Sequence, residues 1–436
     1  MSIFERIEAS AQAQVEELTQ LRRDFHKYAE AGWLEMRTTS IIARKLSDMG
    51  YELILGQDVC LAESRMGLPS DKVLEQNYQR ALEQGADPEF LPYTKGGFTG
   101  VIGILNCGEG PTVALRFDID ALGVIEATDE DHRPAKLGFA SVNHGTMHAC
   151  GHDGHACVGL GVAKTLMEIK DQLHGTVKLI FQPAEEGVRG AKSIVDKGHL
   201  DGVDFVIGSH ISALPAEEGV DVTTGAYGSL ATCKYDVTYH GVSSHASGKP
   251  QLGKNALLAA ATASLNLNAI ARHGEGGTRV NVGRLIAGSG RNVIPDEAFM
   301  EIEVRGDTTQ INDYMCQRAM TVIEHAAAMY DCTYDVKLMG AASSVMSDPD
   351  FAEQLAGIAR QSGLKPASNC MAKSGGSEDF AYMMNRVQEQ GGKAAFVRVH
   401  TELFAPAHNR RLDFIESDYL PKGIMLFCAS VYELMK

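Results

Sequence analysis

From Gly100 onward the chain repeats one pattern. A short apolar run ends in residues with metal-binding or acid–base chemistry, as in "TVALRFDID", "TVKLIFQPAEE" and "FVIGSHI". Between the first two runs lies "CVGLGVAKTLMEIK", which is apolar at helical spacing. Strands that alternate with helices are joined by right-handed crossovers, so they build a mainly parallel sheet covered on both faces. Such sheets bind ligands at the carboxyl ends of their strands, which is where these reactive residues fall. The expected fold class is α/β, with a mainly parallel mixed sheet.

The pattern changes near Thr232. "CKYDVTYHG", "TRVNVGRLIAG", "AFMEIEVRG" and "CTYDVKLMG" alternate as strands, and "NALLAAATASLNLNAIA" and "INDYMCQRAMTVIEHAAAMY" are helical. The order βαββαβ predicts a separate α+β domain over residues 232–340. A helix, the strand "AAFVRVH" and a C-terminal helix then return to the first sheet. Residues 1–231 and 341–436 therefore form one predicted domain. The first 49 residues read as surface helices. Ser64–Gly100, charged and broken by Pro and Gly, reads as an inserted helix with loops rather than core.

The formal net charge of −16 repels phosphate backbones and anionic lipid, so neither nucleic acid nor a membrane is an expected partner. No apolar N-terminal leader or run of membrane-spanning length is visible. Nine scattered cysteines with no CxxC pair suggest thiols in a reducing cytoplasm.

"MHACGHDGHACVG" (147–159) holds His148, Cys150, His152, Asp153 and His155 with glycines between. Thiolate with imidazole suits Zn²⁺, and imidazole with carboxylate also suits Mn²⁺. The paired cysteines of a structural zinc site are absent, and a Cys–His nucleophile remains an alternative. In "FQPAEEG", Glu185 and Glu186 point to opposite sides of extended backbone, so one can ligate while the other handles a proton. His210 and His408 also sit near strand ends. Asp118 and Asp120 share one side of a strand end and can ligate directly or orient a ligand.

In order along the chain, "RFDIDAL", "MHACGHDGH", "FQPAEEG", "HGVSSHASGKP", "GSGRNVIPDEA", "SEDF" and "AHNRRLDF" resemble the M20 metallopeptidases, in their amidohydrolase branch. "SRMGLP" and "GGFTG" are similar to its p-aminobenzoyl-glutamate hydrolases. The resemblance implies two divalent metal ions, Mn or Zn, held by Cys150, His152, Glu186, His210 and His408, with Glu185 as general base. It implies that 232–340 is a lid and dimerisation domain, with His245 at the scissile carbonyl. Arg291 and Asn292 are candidates for a substrate carboxylate, as Arg305 is in "EVRG"; His240 reads as a turn residue. Ser377 and Glu378 are candidate lining residues, and Asp379 a candidate helix cap. Asp118, Asp120 and Asp153 are expected to support ligands, Asp153 foremost within its motif. Three departures from the branch, Gly123, Ala156 and Ala407, leave every proposed ligand in place.

The function so implied is hydrolysis of an N-acyl amino acid, p-aminobenzoyl-glutamate first. The alternatives are hippurate or indole-acetyl-amino acids, or a metal-binding protein that works only with a partner chain. The chain is expected to be a homodimer or to pair with a homologous B subunit.

Overall fold

The structure is a computed structural model that describes all residues, 1–436. It divides into two compact units. The first comprises Met1–Tyr227, Met346–Lys373 and Asp379–Lys436; the second comprises Gly228–Val345 and Ser374–Glu378.

The first unit contains strands β1 (Glu52–Leu55), β2 (Val101–Asn106), β3 (Thr112–Asp118), β4 (Thr176–Gln182), β5 (Phe205–Ala213), β6 (Val222–Thr223) and β7 (Gly225–Tyr227). Numbered in chain order after the second unit's six strands, β14 (Met371–Lys373) and β15 (Lys393–Thr401) complete it. One sheet runs β1-β2-β4-β3-β5-β15-β6, and β14 pairs with β7 in a short ribbon. The central strands β4, β3, β5 and β15 are parallel, while the β1–β2, β2–β4 and β15–β6 pairs are antiparallel. The sheet is thus mixed around a parallel centre, and chemistry gathers at the carboxyl end of that centre.

The helix His152–Glu168 is buried on nearly every side, which explains its lack of a polar face. Its glycines permit this. A Cβ on Gly159 would lie 2.6 Å from the Phe181 ring, and one on Gly161 would lie 2.4 Å from Ile424. The helix is therefore pressed between the sheet and the C-terminal helix Glu416–Met435.

The Ser64–Gly100 insertion packs more tightly than its composition suggests. Leu74 and Ala81, on the helix Asp71–Glu83, join Met36, Ala86 and Leu91 in a small core of their own. The single tryptophan, Trp33, is fully buried and donates its indole N–H to the Met66 carbonyl at 2.7 Å. The insertion thereby fixes the segment that leads to Glu35.

The second unit contains β8 (Ala231–His240), β9 (Ser244–His245), β10 (Thr278–Ala287), β11 (Val293–Ile294), β12 (Glu297–Gly306) and β13 (Thr333–Ala342). Four of these form the antiparallel sheet β10-β12-β8-β13. The helix Ala256–Asn268 turns Ala256, Ala259, Ala260, Ala263 and Leu267 inward at helical spacing. The helix Thr309–Ala328 adds Met315, Ala319 and Ile323 to the same core. No helix of either unit is long and apolar enough to cross a membrane.

A buried ionic network ties the N-terminal helices to the rest of the first unit. His26 donates from Nδ1 to Asp153 at 2.8 Å and from Nε2 to Glu126 at 2.9 Å, which requires an imidazolium. Burial disfavours that charge, but the two carboxylates outweigh it and raise the His26 pKa to about 9. Burial likewise disfavours ionised Glu126, yet hydrogen bonds from His132 and His26 lower it to about 2. A raised histidine contributes stability below its usual pKa of 6.5 and loses it as pH rises through about 9. A lowered carboxylate contributes above 4.5 and loses it as pH falls through about 2. The pair is fully stabilising between those usual values. We expect Glu126→Gln to cost about 3 kcal/mol in urea unfolding at pH 5–6, with a smaller difference at pH 9. A difference independent of pH would contradict the charged-pair reading.

Candidate metal centre

The stretch that carries Cys150 and His152 turns sharply at Gly151, whose φ is +86°. A Cβ there would stand 2.7 Å from Ile211 Cγ2 on β5, so both conformation and space demand glycine. The turn buries Cys150 and starts the helix at His152. Cys150 Sγ comes to 3.2 Å from His210 Nε2.

The candidate ligands fall into two triads that share one atom. Cys150, His152 and His210 offer ligand atoms within 4.8 Å of one another, and so do Cys150, Glu186 and His408. Glu185, the residue left over, groups with His152 and Glu186, its Oε2 lying 4.0 Å from His152 Nε2. His408 has a positive φ of 65°, and its N–H is fixed on the Ala149 carbonyl at 2.7 Å. Its Nε2 lies 3.6 Å from Glu186 Oε1.

The donor set fits a divalent cation. His152 Nε2 and Glu186 Oε1 are buried without hydrogen-bond partners, which is costly unless an ion satisfies them. Burial pushes the Cys150 thiol up and raises the Glu186 carboxyl to about 7. It lowers His210 to about 3, keeping that imidazole neutral and ready to ligate. For His152 burial works downward, but the Asp118 charge and an Asp120 hydrogen bond prevail and push it up. Thiol, imidazole and carboxylate together suit Zn²⁺ or Mn²⁺.

The two aspartates at the end of β3, Asp118 within it and Asp120 just beyond, divide their work. Asp120 is 3.3 Å from His152 Nδ1 and accepts the backbone N–H groups of Glu185 at 3.1 Å and Glu186 at 2.9 Å. It therefore orients a candidate ligand ring and the acidic loop together. Burial opposes the charge of Asp118, but Arg116 at 2.7 Å, with His152 and His155, holds its carboxyl well below the usual range. His155 donates from Nδ1 to Asp118 and accepts the Ile211 N–H at Nε2, so both of its nitrogens are taken. It braces the site and has no nitrogen left for an ion.

Asp153 departs from expectation. Its carboxylate meets Arg22 Nε at 2.8 Å, His26 Nδ1 at 2.8 Å and the Gly154 N–H, and none of these is a candidate ligand. The helix turns its side chain towards the N-terminal helices, so it belongs to the ionic network described above.

Glu35 was not apparent from the sequence, and Asp379 caps a helix other than its own. Buried Glu35 accepts the Ala184 N–H at 2.7 Å, where Ala184 has a positive φ of 53°. Burial and the nearby Asp120 raise its pKa to about 8. Asp379 accepts the N–H groups of Gly190 at 3.0 Å and Ala191 at 2.9 Å. It thus caps the distant helix Ala191–Asp196 rather than the one it precedes. The Glu185–Glu186 loop is pinned at both ends by these partners, which no local motif announces.

In the second unit, β9 and β11 pair so that His245 faces Val293, and the Ala246 N–H bonds the Asn292 carbonyl at 3.0 Å. His245 and Asn292 therefore meet on one exposed ribbon, with Arg291 in the adjoining turn. His245 Nδ1 accepts N–H groups from Ser247 at 3.2 Å and Gly248 at 3.0 Å. In the neutral ring the proton must then sit on Nε2. His240 pairs with Asp335 at 2.9 Å, and Arg305 with Glu303 at 2.9 Å. Ser377 and Glu378 belong to the second unit and Asp379 to the first.

Gly151→Ala tests the turn that aims Cys150 and His152. The added methyl should lower thermal stability and cut activity at least tenfold, because a backbone shift of a few tenths of an ångström misplaces both side chains. Unchanged activity and melting temperature would contradict the role of the turn.

Residues 114–433 match the model of peptidase family M20/M25/M40. The chain is 49 % identical over 404 residues to the indole-3-acetyl-aspartic acid hydrolase of Enterobacter agglomerans, covering 92 % of each protein. It is 46 % identical over 402 residues to the A subunit of the p-aminobenzoyl-glutamate hydrolase of Escherichia coli (strain K12), again covering 92 % of each. Among solved structures, the aminobenzoyl-glutamate utilization protein of Klebsiella pneumoniae superposes with a TM-score of 0.83 at 38 % identity, over 98 % of both chains. A dinuclear metal binding peptidase of the M20 family from Bacillus subtilis superposes with a TM-score of 0.66 at 26 % identity, over 97 % of this chain and 99 % of that one. This chain belongs to peptidase family M20/M25/M40 and is a metallo-amidohydrolase.

Proposed function

We propose that this chain hydrolyses p-aminobenzoyl-glutamate to p-aminobenzoate and glutamate. The observation that carries the reading is the pair of triads around Cys150 with Glu185 spare beside them. A protein that only binds metal needs no spare base. The relatives support the substrate class, because both carry the name of an aromatic acyl group joined to an acidic amino acid. Indole-acetyl-aspartate is accordingly the second substrate to test.

In this reading Cys150, His152 and His210 hold one divalent ion, and Cys150, Glu186 and His408 hold the other. When bound, the ions, Mn²⁺ or Zn²⁺, polarise the amide carbonyl and acidify water. Glu185 takes a proton from the attacking water and returns it to the leaving amine as the C–N bond breaks. Asp120 keeps the Glu185 and Glu186 backbones in register for this, through the bonds described above. The second unit serves as lid and dimerisation unit, in a homodimer or with a homologous B subunit. From a neighbouring subunit, His245 presents Nε2–H to the oxyanion, the tautomer its Nδ1 acceptor bonds favour. Arg291 and Asn292 hold the α-carboxylate of the amino acid. Nine free cysteines fit a reducing, cytoplasmic setting.

The test is glutamate release by the purified chain loaded with Mn²⁺ or Zn²⁺. Glu185→Gln should lose about 10²–10⁴-fold in kcat while retaining metal, the range for a positioned acid–base group. Full activity in that variant would contradict the proton-transfer role. Turnover by the purified wild-type chain, with no other protein present, would contradict a requirement for a B subunit.

A further inference from the structure

The central sheet carries a cation beside the metal centre that none of the proposed roles uses. Arg398 lies on β15 in register with His210 on the parallel strand β5. Side chains in register on parallel neighbours share a face. Two residues earlier, Phe396 stands opposite Gly208 and packs on Phe380 at 5.8 Å, and a Cβ on Gly208 would meet the same ring at 2.7 Å. Gly208, His210, Phe396 and Arg398 therefore line one face. His210, one strand away from Arg398 at a spacing of ~4.8 Å, reaches Cys150 Sγ.

The guanidinium of Arg398 is half-buried, and its hydrogen bond is a single one, from Nη2 to the Lys373 carbonyl at 2.9 Å. No carboxylate pairs with it, and burial lowers its pKa with no acidic group to offset the effect. Two fully buried arginines of this unit are paired differently. Arg116 meets Asp118 and Asp379, and Arg22 meets Asp153, Asp413 and Glu416. In a chain with 56 acidic and 40 basic residues, a part-buried guanidinium without a paired acid, next to the metal centre, is suited to an external anion.

We propose that Arg398 binds the side-chain carboxylate of an acidic amino acid in the substrate, and so sets the preference for glutamate or aspartate. The inference rests on the amidohydrolase reading above. An N-acyl acidic amino acid brings two carboxylates, and Arg291 accounts for one. The planar fork of Arg398, with four N–H donors uncommitted, accounts for the other.

The experiment compares p-aminobenzoyl-glutamate with p-aminobenzoyl-glutamine, which differ only at the γ-group. Wild-type, Arg398→Gln and Arg398→Lys chains are assayed with the same metal. Wild type should prefer the glutamate substrate. Arg398→Gln should cut the glutamate-over-glutamine ratio of kcat/KM about 10- to 100-fold, mainly through KM for glutamate. Arg398→Lys, which keeps the charge and loses the fork, should restore part of the ratio. A role confined to bonding Lys373 would slow both substrates alike, so a ratio within twofold of wild type in Arg398→Gln overturns the proposal. Wild-type preference for the glutamine substrate overturns instead the reading that the substrate is acidic.

Discussion

The close approach of the Gly151 turn to Ile211 governs the site. With no Cβ between them, the loop before the helix His152–Glu168 lies against the carboxyl half of β5. That contact brings Cys150 to His210 and sets His155 under the Ile211 N–H. His155 in turn holds Asp118, and Asp118 holds Arg116, so the turn is linked to β3 through side chains alone. Gly159, further along the helix, extends the same close packing onto Phe117 and Phe181. The loop that carries Cys150 is therefore braced against the parallel strands, as a pre-organised site requires.

The donor set is also an electrostatic liability without cations. Cys150, Glu186 and His210 are shifted towards their neutral forms, while Asp118 stays ionised against Arg116. Metal binding must expel protons from the thiol and the carboxyl, so affinity and proton release are coupled. The buried Asp153–His26–Glu126 chain is arranged oppositely, with each charge matched by its neighbour. One cluster is complete in itself, and the other is completed by ions.

The alternation of strand and helix was legible in the sequence because its periods are local, and so were the residues at strand ends. Asp120 was legible as a support but not as the acceptor of two loop N–H groups. Asp153 sits in the right motif yet faces Arg22 and His26, more than a hundred residues away in sequence. Glu35 and Asp379 act on backbone groups at comparable separations, and a carboxylate's choice of a remote N–H leaves no periodic trace. The compactness of the Ser64–Gly100 insertion was hidden for a related reason. Its few apolar residues pack on Met36 and around Trp33, outside its own segment.

The sharing of Cys150 between two triads is the central claim, and metal stoichiometry measures it most directly. Inductively coupled plasma analysis of the dialysed wild type, His210→Ala, His408→Ala and Cys150→Ala chains compares the two positions. The account predicts two ions per chain in the wild type, one in each histidine variant, and loss of both in Cys150→Ala. A Cys150→Ala chain that still holds one ion tightly would contradict it, because Cys150 would then serve a single triad.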